Sequence, residues 1–102
     1  MNASSFEVIG LVPADLAHAG LALAVARAGG LALLDLEFAH DSTRVHHNFE
    51  RLLAGTTAQV GLRVTAARAA LARELIQGCG ARHLSVVLSG PASDLPTLRE
   101  AI

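Results

Sequence analysis

Ala28-Gly29-Gly30-Leu31-Ala32-Leu33-Leu34-Asp35-Leu36-Glu37-Phe38 carries the chain from the end of one element through the whole of the next. Upstream of it, Leu16 to Ala28 is rich in Ala and Leu, and the glycine pair halts that run where a helix exit needs a left-handed residue. Downstream, Leu31 to Phe38 reads as a strand too apolar to be half-solvated, as expected of a parallel sheet buried on both faces. Helix, glycine, buried strand is the grammar of a βα protein. A membrane span explains the stretch less well: Gly29-Gly30 breaks it, and Asp35 and Glu37 follow directly.

The same grammar repeats along the chain. The first strand is expected over Phe6 to Val12, ended by Pro13, and its helix over Ala17 to Ala28. After the second strand, Asp41-Ser42-Thr43 offers N-cap oxygens, and Val45, Phe49, Leu52 and Leu53 recur at helical spacing until Gly55. Gln59 to Val64 is the third strand. Thr65 is placed to cap a helix from Ala66 to Gln77, with Ala67, Leu71 and Leu75 on its apolar face, closed by Gly78 and Gly80. His83 to Leu88 is the fourth strand. A turn at Ser89-Gly90-Pro91 leads to Ser93 as N-cap and Pro96 in the first turn of a last helix. Strands thus start near positions 6, 31, 58 and 83, and the joints Ala28-Gly29-Gly30-Leu31 and Gly78-Cys79-Gly80-Ala81 use one turn twice. The expected fold is α/β: residues 1–102 as one domain of four consecutive βα units with parallel strands, half of a (β/α)8 TIM barrel. A complete barrel needs about 200 residues or more, and the chain stops in the first turns of its fourth helix. It is therefore expected to be part of a longer protein, or a half-barrel that needs a partner.

Composition narrows the function. With 52% hydrophobic and 17% charged residues the chain is globular. A net charge of −1 provides no basic stripe for phosphates, and three Phe with no Trp or Tyr make no stacking platform, so nucleic acid is excluded as a partner. One cysteine, Cys79, allows no internal disulfide and fits a reducing cytoplasm. Met1-Asn2-Ala3-Ser4-Ser5 lacks the basic start of a secretory signal.

Chemistry in parallel α/β folds gathers at the carboxyl ends of the strands. Side chains alternate along a strand, so Leu34, Leu36 and Phe38 are expected under the helices and Asp35 and Glu37 on the opposite, lumen side. Val60, Leu62 and Val64 likewise oppose Gly61, Arg63 and Thr65. This parity brings Asp35, Glu37, Arg63 and Ser89 together, with His18 near the start of the first helix on the same rim. Two carboxylates beside an arginine could hold a substrate or exchange protons. The competing reading is an ion-pair network that fills the lumen. His40, His46 and His47 lie close in sequence, but adjacent helical residues point about 100° apart, and no metal site is assigned. Neither a Gly-x-Gly-x-x-Gly loop, a P-loop nor a Gly-x-Ser-x-Gly elbow is present.

Three stretches resemble the nitronate monooxygenase family, formerly 2-nitropropane dioxygenase, which includes related flavin-dependent enoyl reductases. They are Val8-Ile9-Gly10-Leu11-Val12-Pro13, the run Leu21 to Leu34 with its Ala26-Arg27-Ala28-Gly29-Gly30-Leu31 exit, and Gly61-Leu62-Arg63-Val64. The second strand, Leu34-Asp35-Leu36-Glu37, resembles barrel modules in bacterial polyketide or polyunsaturated-fatty-acid synthases. The resemblance implies an FMN-binding oxidoreductase barrel acting on nitronates or acyl chains. The flavin ring would lie against Leu11, Val12 and Pro13, with Arg63 where the family usually ends its third strand in Gly-Val-Asn. The family's catalytic His and phosphate-binding loops belong to the second half of the barrel, so no catalytic residue carries over. This chain alone is expected to bind FMN weakly and to meet a missing half-barrel, another synthase domain, or itself through its edge strands. The alternative is a non-catalytic scaffold module with a degenerate flavin pocket.

Overall fold

A computed structural model describes residues 8–80 and 82–102. Four βα units follow one another: β1 (Ile9–Pro13), α1 (Gly20–Arg27), β2 (Leu31–Asp35), α2 (Ser42–Gly55), β3 (Val60–Val64), α3 (Ala69–Gly78), β4 (Leu84–Leu88) and α4 (Leu95–Ala101). The strands form one sheet in chain order β1-β2-β3-β4, every pair parallel. Phe6 and Glu7, expected at the start of the first strand, lie outside the described residues.

All four helices lie on one face. α1 packs on β1 and β2, α3 on β3, α4 on β4, and each helix touches the next. The core between them is built from the even-numbered strand residues Val12, Ala32, Leu34, Val60, Leu62 and Val64, with Ala22 and Ala26 of α1, Val45, Phe49 and Leu52 of α2, Ala72 and Leu75 of α3, and Leu98 of α4. Gly10 shares this face because α1 comes so close: a Cβ there would sit 2.7 Å from the methyl carbons of Val25. Each of the two glycine joints places a left-handed glycine just after its helix. Gly29 at φ 88° and Gly80 at φ 67° are both left-handed, the conformation an L-residue resists.

Several boundaries move, each for a local reason. Pro13 ends β1 from within, as its last paired residue. On an edge strand its missing N–H costs no ladder bond. The first helix begins at Gly20, not Ala17; Ala19 stands at its N-cap and has no side-chain oxygen to offer. β2 stops at Asp35, because Asp35 Oδ1 accepts the Glu37 N–H at 3.0 Å and Ala39 N–H turns back to Leu36 O. Phe38 consequently swings out to 71% exposure and does not lie under the helices. The third helix opens with a 3₁₀ turn at Ala66–Arg68, closed by Thr65 through its carbonyl and not its hydroxyl, which leaves Ala67 exposed. Ser93 lies inside a second 3₁₀ turn, Ala92–Asp94, and is not the N-cap of α4. Asp41 does cap α2, accepting the Arg44 N–H at 3.1 Å.

At the amino ends of the strands, arginines finish α2. Arg82 donates to the carbonyls of Leu53 (2.6 Å), Thr56 (2.6 Å) and Ala58 (2.9 Å), and Arg27 to Gly55 (3.2 Å). Those of Leu53, Gly55 and Thr56 are carbonyls a helix end leaves without partners, and that of Ala58 belongs to the loop beyond. The run Leu16 to Leu34 is resolved into a loop, α1 and β2. Among the described residues no helix is long and apolar enough to cross a membrane.

Candidate functional site

The register sets one row of residues across the carboxyl ends of the strands: Pro13 beside Asp35, Asp35 beside Arg63, Arg63 beside Val87. These odd-numbered residues point away from the helices, onto a face that no element among the described residues covers. Arg63 is the hub. Its Nη1 donates to Asp35 Oδ1 at 3.0 Å and Oδ2 at 3.2 Å and to Glu37 Oε2 at 2.5 Å, while Nε donates to Ser89 Oγ at 3.2 Å. Asp35, Glu37, Arg63 and Ser89 therefore meet, although Glu37 arrives by the turn after β2 and not by strand parity.

The electrostatics follow from the count of charges. Two carboxylates share one guanidinium, so the group carries a formal charge of −1. The hydrogen bond that Arg63 donates to Glu37, then that to Asp35, raises the Arg63 pKa above its ordinary value, and the cation is fixed. Nη2 makes no hydrogen bond to another described residue, so Arg63 keeps donors to spare. The Ser89 hydroxyl, with its oxygen accepting from Nε, retains its proton to donate. The group can thus take a carbonyl or other neutral oxygen at Arg63 and Ser89 while the carboxylates accept donors.

Two residues support the site without having been expected there. Arg68 Nε donates to the carbonyls of Leu36 (3.1 Å) and Glu37 (3.3 Å) and so holds the turn that presents Glu37. Nothing in the sequence marks Arg68, which sits among exposed alanines. Asn48 was legible: it falls at the spacing of Val45, Phe49 and Leu52, a polar residue on an apolar stripe. It is 1% exposed and donates from Nδ2 to Ala14 O (3.1 Å) and Leu16 O (2.7 Å), tying the β1–α1 loop to α2; its Oδ1 has no partner among the described residues. Asp15 in that loop accepts the His40 N–H at 2.8 Å and fastens it to the next loop.

Other expected residues fall elsewhere. His18 is exposed, and its Nδ1 accepts the N–H of Gly20 at 3.2 Å. It works at the start of α1 and makes no bond to the Arg63 group among the described residues. Leu11 (51% exposed) and Pro13 lie on the open face, but Val12 (4%) points into the helix layer, and its side chain cannot meet a ring lying over the strand ends. His46 Nε2 lies 3.3 Å from Glu74 Oε2 on the outside of α2 and α3, and no three His, Cys, Asp or Glu converge as metal ligands among the described residues. Cys79 is half-buried at the end of α3, its thiol donating to Ile76 O.

No family model matches this sequence, and neither a curated protein nor a solved structure is significantly similar to it.

Proposed function

We propose that this chain supplies four βα units, the N-terminal half, of a flavin-dependent oxidoreductase barrel of the nitronate monooxygenase or enoyl-reductase kind, working in the cytoplasm within a larger synthase. One observation carries the structural part of the reading. Strands in chain order with every helix on one face are singly wound, and their carboxyl ends rim one open surface, the sector geometry of a barrel. An open doubly wound sheet reverses its order and has helices on both faces. The flavin part rests on the short motifs in β1, the α1 exit and β3.

The residues present fit part of the cofactor. Leu11 and Pro13 offer an apolar surface for the isoalloxazine ring, and the spare donors of Arg63 suit its carbonyl oxygens. When bound, the flavin supplies hydride chemistry. Its phosphate finds no glycine-rich loop in this chain, and the other half of the barrel would hold it. A second reading is favoured by a specific contact: Arg63 is already held by Asp35 and Glu37, as in a scaffold module whose lumen is filled by an ion network.

Titrating the purified chain with riboflavin and with FMN, followed by flavin fluorescence, separates these readings. Equal and weak binding of both, lost in Arg63→Met, supports a ring site without a phosphate site. Binding of neither at millimolar flavin overturns the cofactor reading and leaves the scaffold. FMN binding far tighter than riboflavin overturns the assignment of the phosphate to the other half.

A further inference from the structure

The two carboxylates on Arg63 are held on very different terms. Asp35 is the partner of Arg63 in the strand register, and its side chain, 15% exposed, accepts three hydrogen bonds. Two come from Arg63 Nη1, at 3.0 and 3.2 Å, and one from the Glu37 N–H at 3.0 Å. Glu37 lies beyond the end of β2, and its side chain is 33% exposed. Among the described residues that side chain accepts one bond, from Nη1 to Oε2, and Oε1 accepts none. The backbone of Glu37 is fixed on both sides: its N–H donates to Asp35, and its carbonyl accepts from Arg68 Nε at 3.3 Å. The carboxylate can therefore leave Arg63 by rotation of its own side chain, with the turn unmoved.

Glu37 also uses its partner incompletely. A guanidinium meets a carboxylate best through two parallel N–H donors, but Glu37 and Asp35 crowd onto Nη1, and Nη2 makes no bond to a described residue. Beside them the Ser89 hydroxyl, whose oxygen accepts from Arg63 Nε, keeps its proton. A free carboxylate in the place of Glu37 has all these donors within one group. Charge permits exchange and opposes addition: an anion added to two carboxylates and one guanidinium raises the excess of negative charge, whereas one that replaces Glu37 leaves it unchanged. The floor beneath is closed and apolar. Leu33 lies across Gly61, two residues before Arg63 on the same face, where a Cβ would stand 2.8 Å from Leu33 Cδ2. Val87, next to Arg63 in the register, is 40% exposed, so an organic tail finds apolar surface beside its head group.

We infer that Glu37 holds the place of a ligand carboxylate on Arg63: a small organic acid anion enters the open face by displacing the Glu37 side chain, while Asp35 stays. Asp35 keeps the guanidinium oriented, Arg68 keeps the turn, and the Ser89 hydroxyl donates to the incoming anion. Nη2 carries two hydrogens, so one remains for a ring carbonyl when the other meets the anion. The inference rests on the Arg63 group being the binding site of the proposed function, and not on the flavin.

The test is a titration of the purified chain with sodium acetate at constant ionic strength, following the Arg63 Nε–H signal by NMR. Acetate should bind Glu37→Ala saturably in the millimolar range. It should bind the parent about tenfold or more weakly, because there Glu37 competes from within the same molecule. Glu37→Gln keeps the length of the side chain and removes its charge; it should gain acetate binding too, and it serves where Ala disturbs the turn. Adding Arg63→Met to either variant should abolish capture, and circular dichroism checks that each protein stays folded. No capture by either Glu37 variant, capture by the parent as tight as by the variants, or capture that survives Arg63→Met would each overturn the inference. The titration contains no flavin. A chain that captures acetate in this way yet binds neither riboflavin nor FMN sinks the cofactor reading and leaves the role of Glu37 standing.

Discussion

The helix-covered and open faces of the sheet come from alternate residues of the same strands, and they are built on opposite terms. In β3, Val60, Leu62 and Val64 are fully buried under the helices, while Gly61 and Arg63, which alternate with them, meet the neighbouring strands and the turns that follow those strands. In β1 the contrast is between Val12, enclosed by α1, and Leu11, half in solvent. The covered face holds the fold together through area removed from water. The open face combines a small apolar floor, the buried Leu31 and Leu33, with charge: Asp35 and Glu37 need Arg63, and each of the three is only partly screened. One face makes a structure, and the other is available for a ligand or a second sheet.

The sharpest way to break this comparison is to make the same truncation on each face. Leu62→Ala removes a wholly buried side chain from the middle of the core and should cost about 3 kcal/mol, within the range for such cavities. Leu11→Ala, at low protein concentration where self-association does not contribute, should cost no more than about 0.5 kcal/mol. Urea denaturation of both variants with a common slope measures the difference directly. Equal losses would mean that the open face is covered in solution even in the isolated chain.

A smaller effect is expected from the hub of the open face. Arg63→Met keeps the aliphatic stem but leaves Asp35 and Glu37 as two unshielded carboxylates. With side chains that are 15–33% exposed, solvent screens part of the repulsion, and the expected loss is about 1–2 kcal/mol. Adding the second substitution Asp35→Asn should return part of it, because one of the two like charges is then gone. If the double variant is as unstable as the single one, Arg63 supports the site by packing and not by charge.

How much of this was legible varies with the range of the interaction. The four βα units, the two left-handed glycine joints and the meeting of Asp35, Arg63 and Ser89 follow from periodicity, glycine placement and strand parity, which are local rules, whereas Glu37 joins them through the turn after β2. What was not legible depended on partners far along the chain. β2 was expected to run to Phe38; it stops at Asp35 because that carboxylate turns back on the Glu37 N–H while its other bonds go to Arg63, 28 residues away. Arg68 gave no signal, since an arginine that clamps two carbonyls of a distant turn looks like any surface arginine. His18 sits on the expected rim, but its ring is taken by the Gly20 N–H two residues on. Val12 stands at a strand end, but its parity turns it into the helix layer.

The smallest effect concerns the loops that border both faces. Asp15 accepts the backbone N–H of His40, and this bond, opposed by some desolvation and reinforced by neighbouring amides, lowers its carboxyl pKa below the ordinary value. A group whose folded pKa is depressed adds stability that is complete above its unfolded pKa and lost as pH falls through the folded one. Asp15 should therefore contribute at neutral pH and cease to do so in acid, below about pH 4. Asp15→Asn keeps an oxygen for the His40 N–H but removes the titration. Its melting temperature should lie slightly below the parent's at neutral pH, and the gap should close as pH falls from about 5 to 3. Thermal melts across that window read the effect. A gap that stays constant with pH would mean that the amide–carboxylate bond between the two loops does not form in solution, and that Asn48 alone secures the β1–α1 loop beneath the open face.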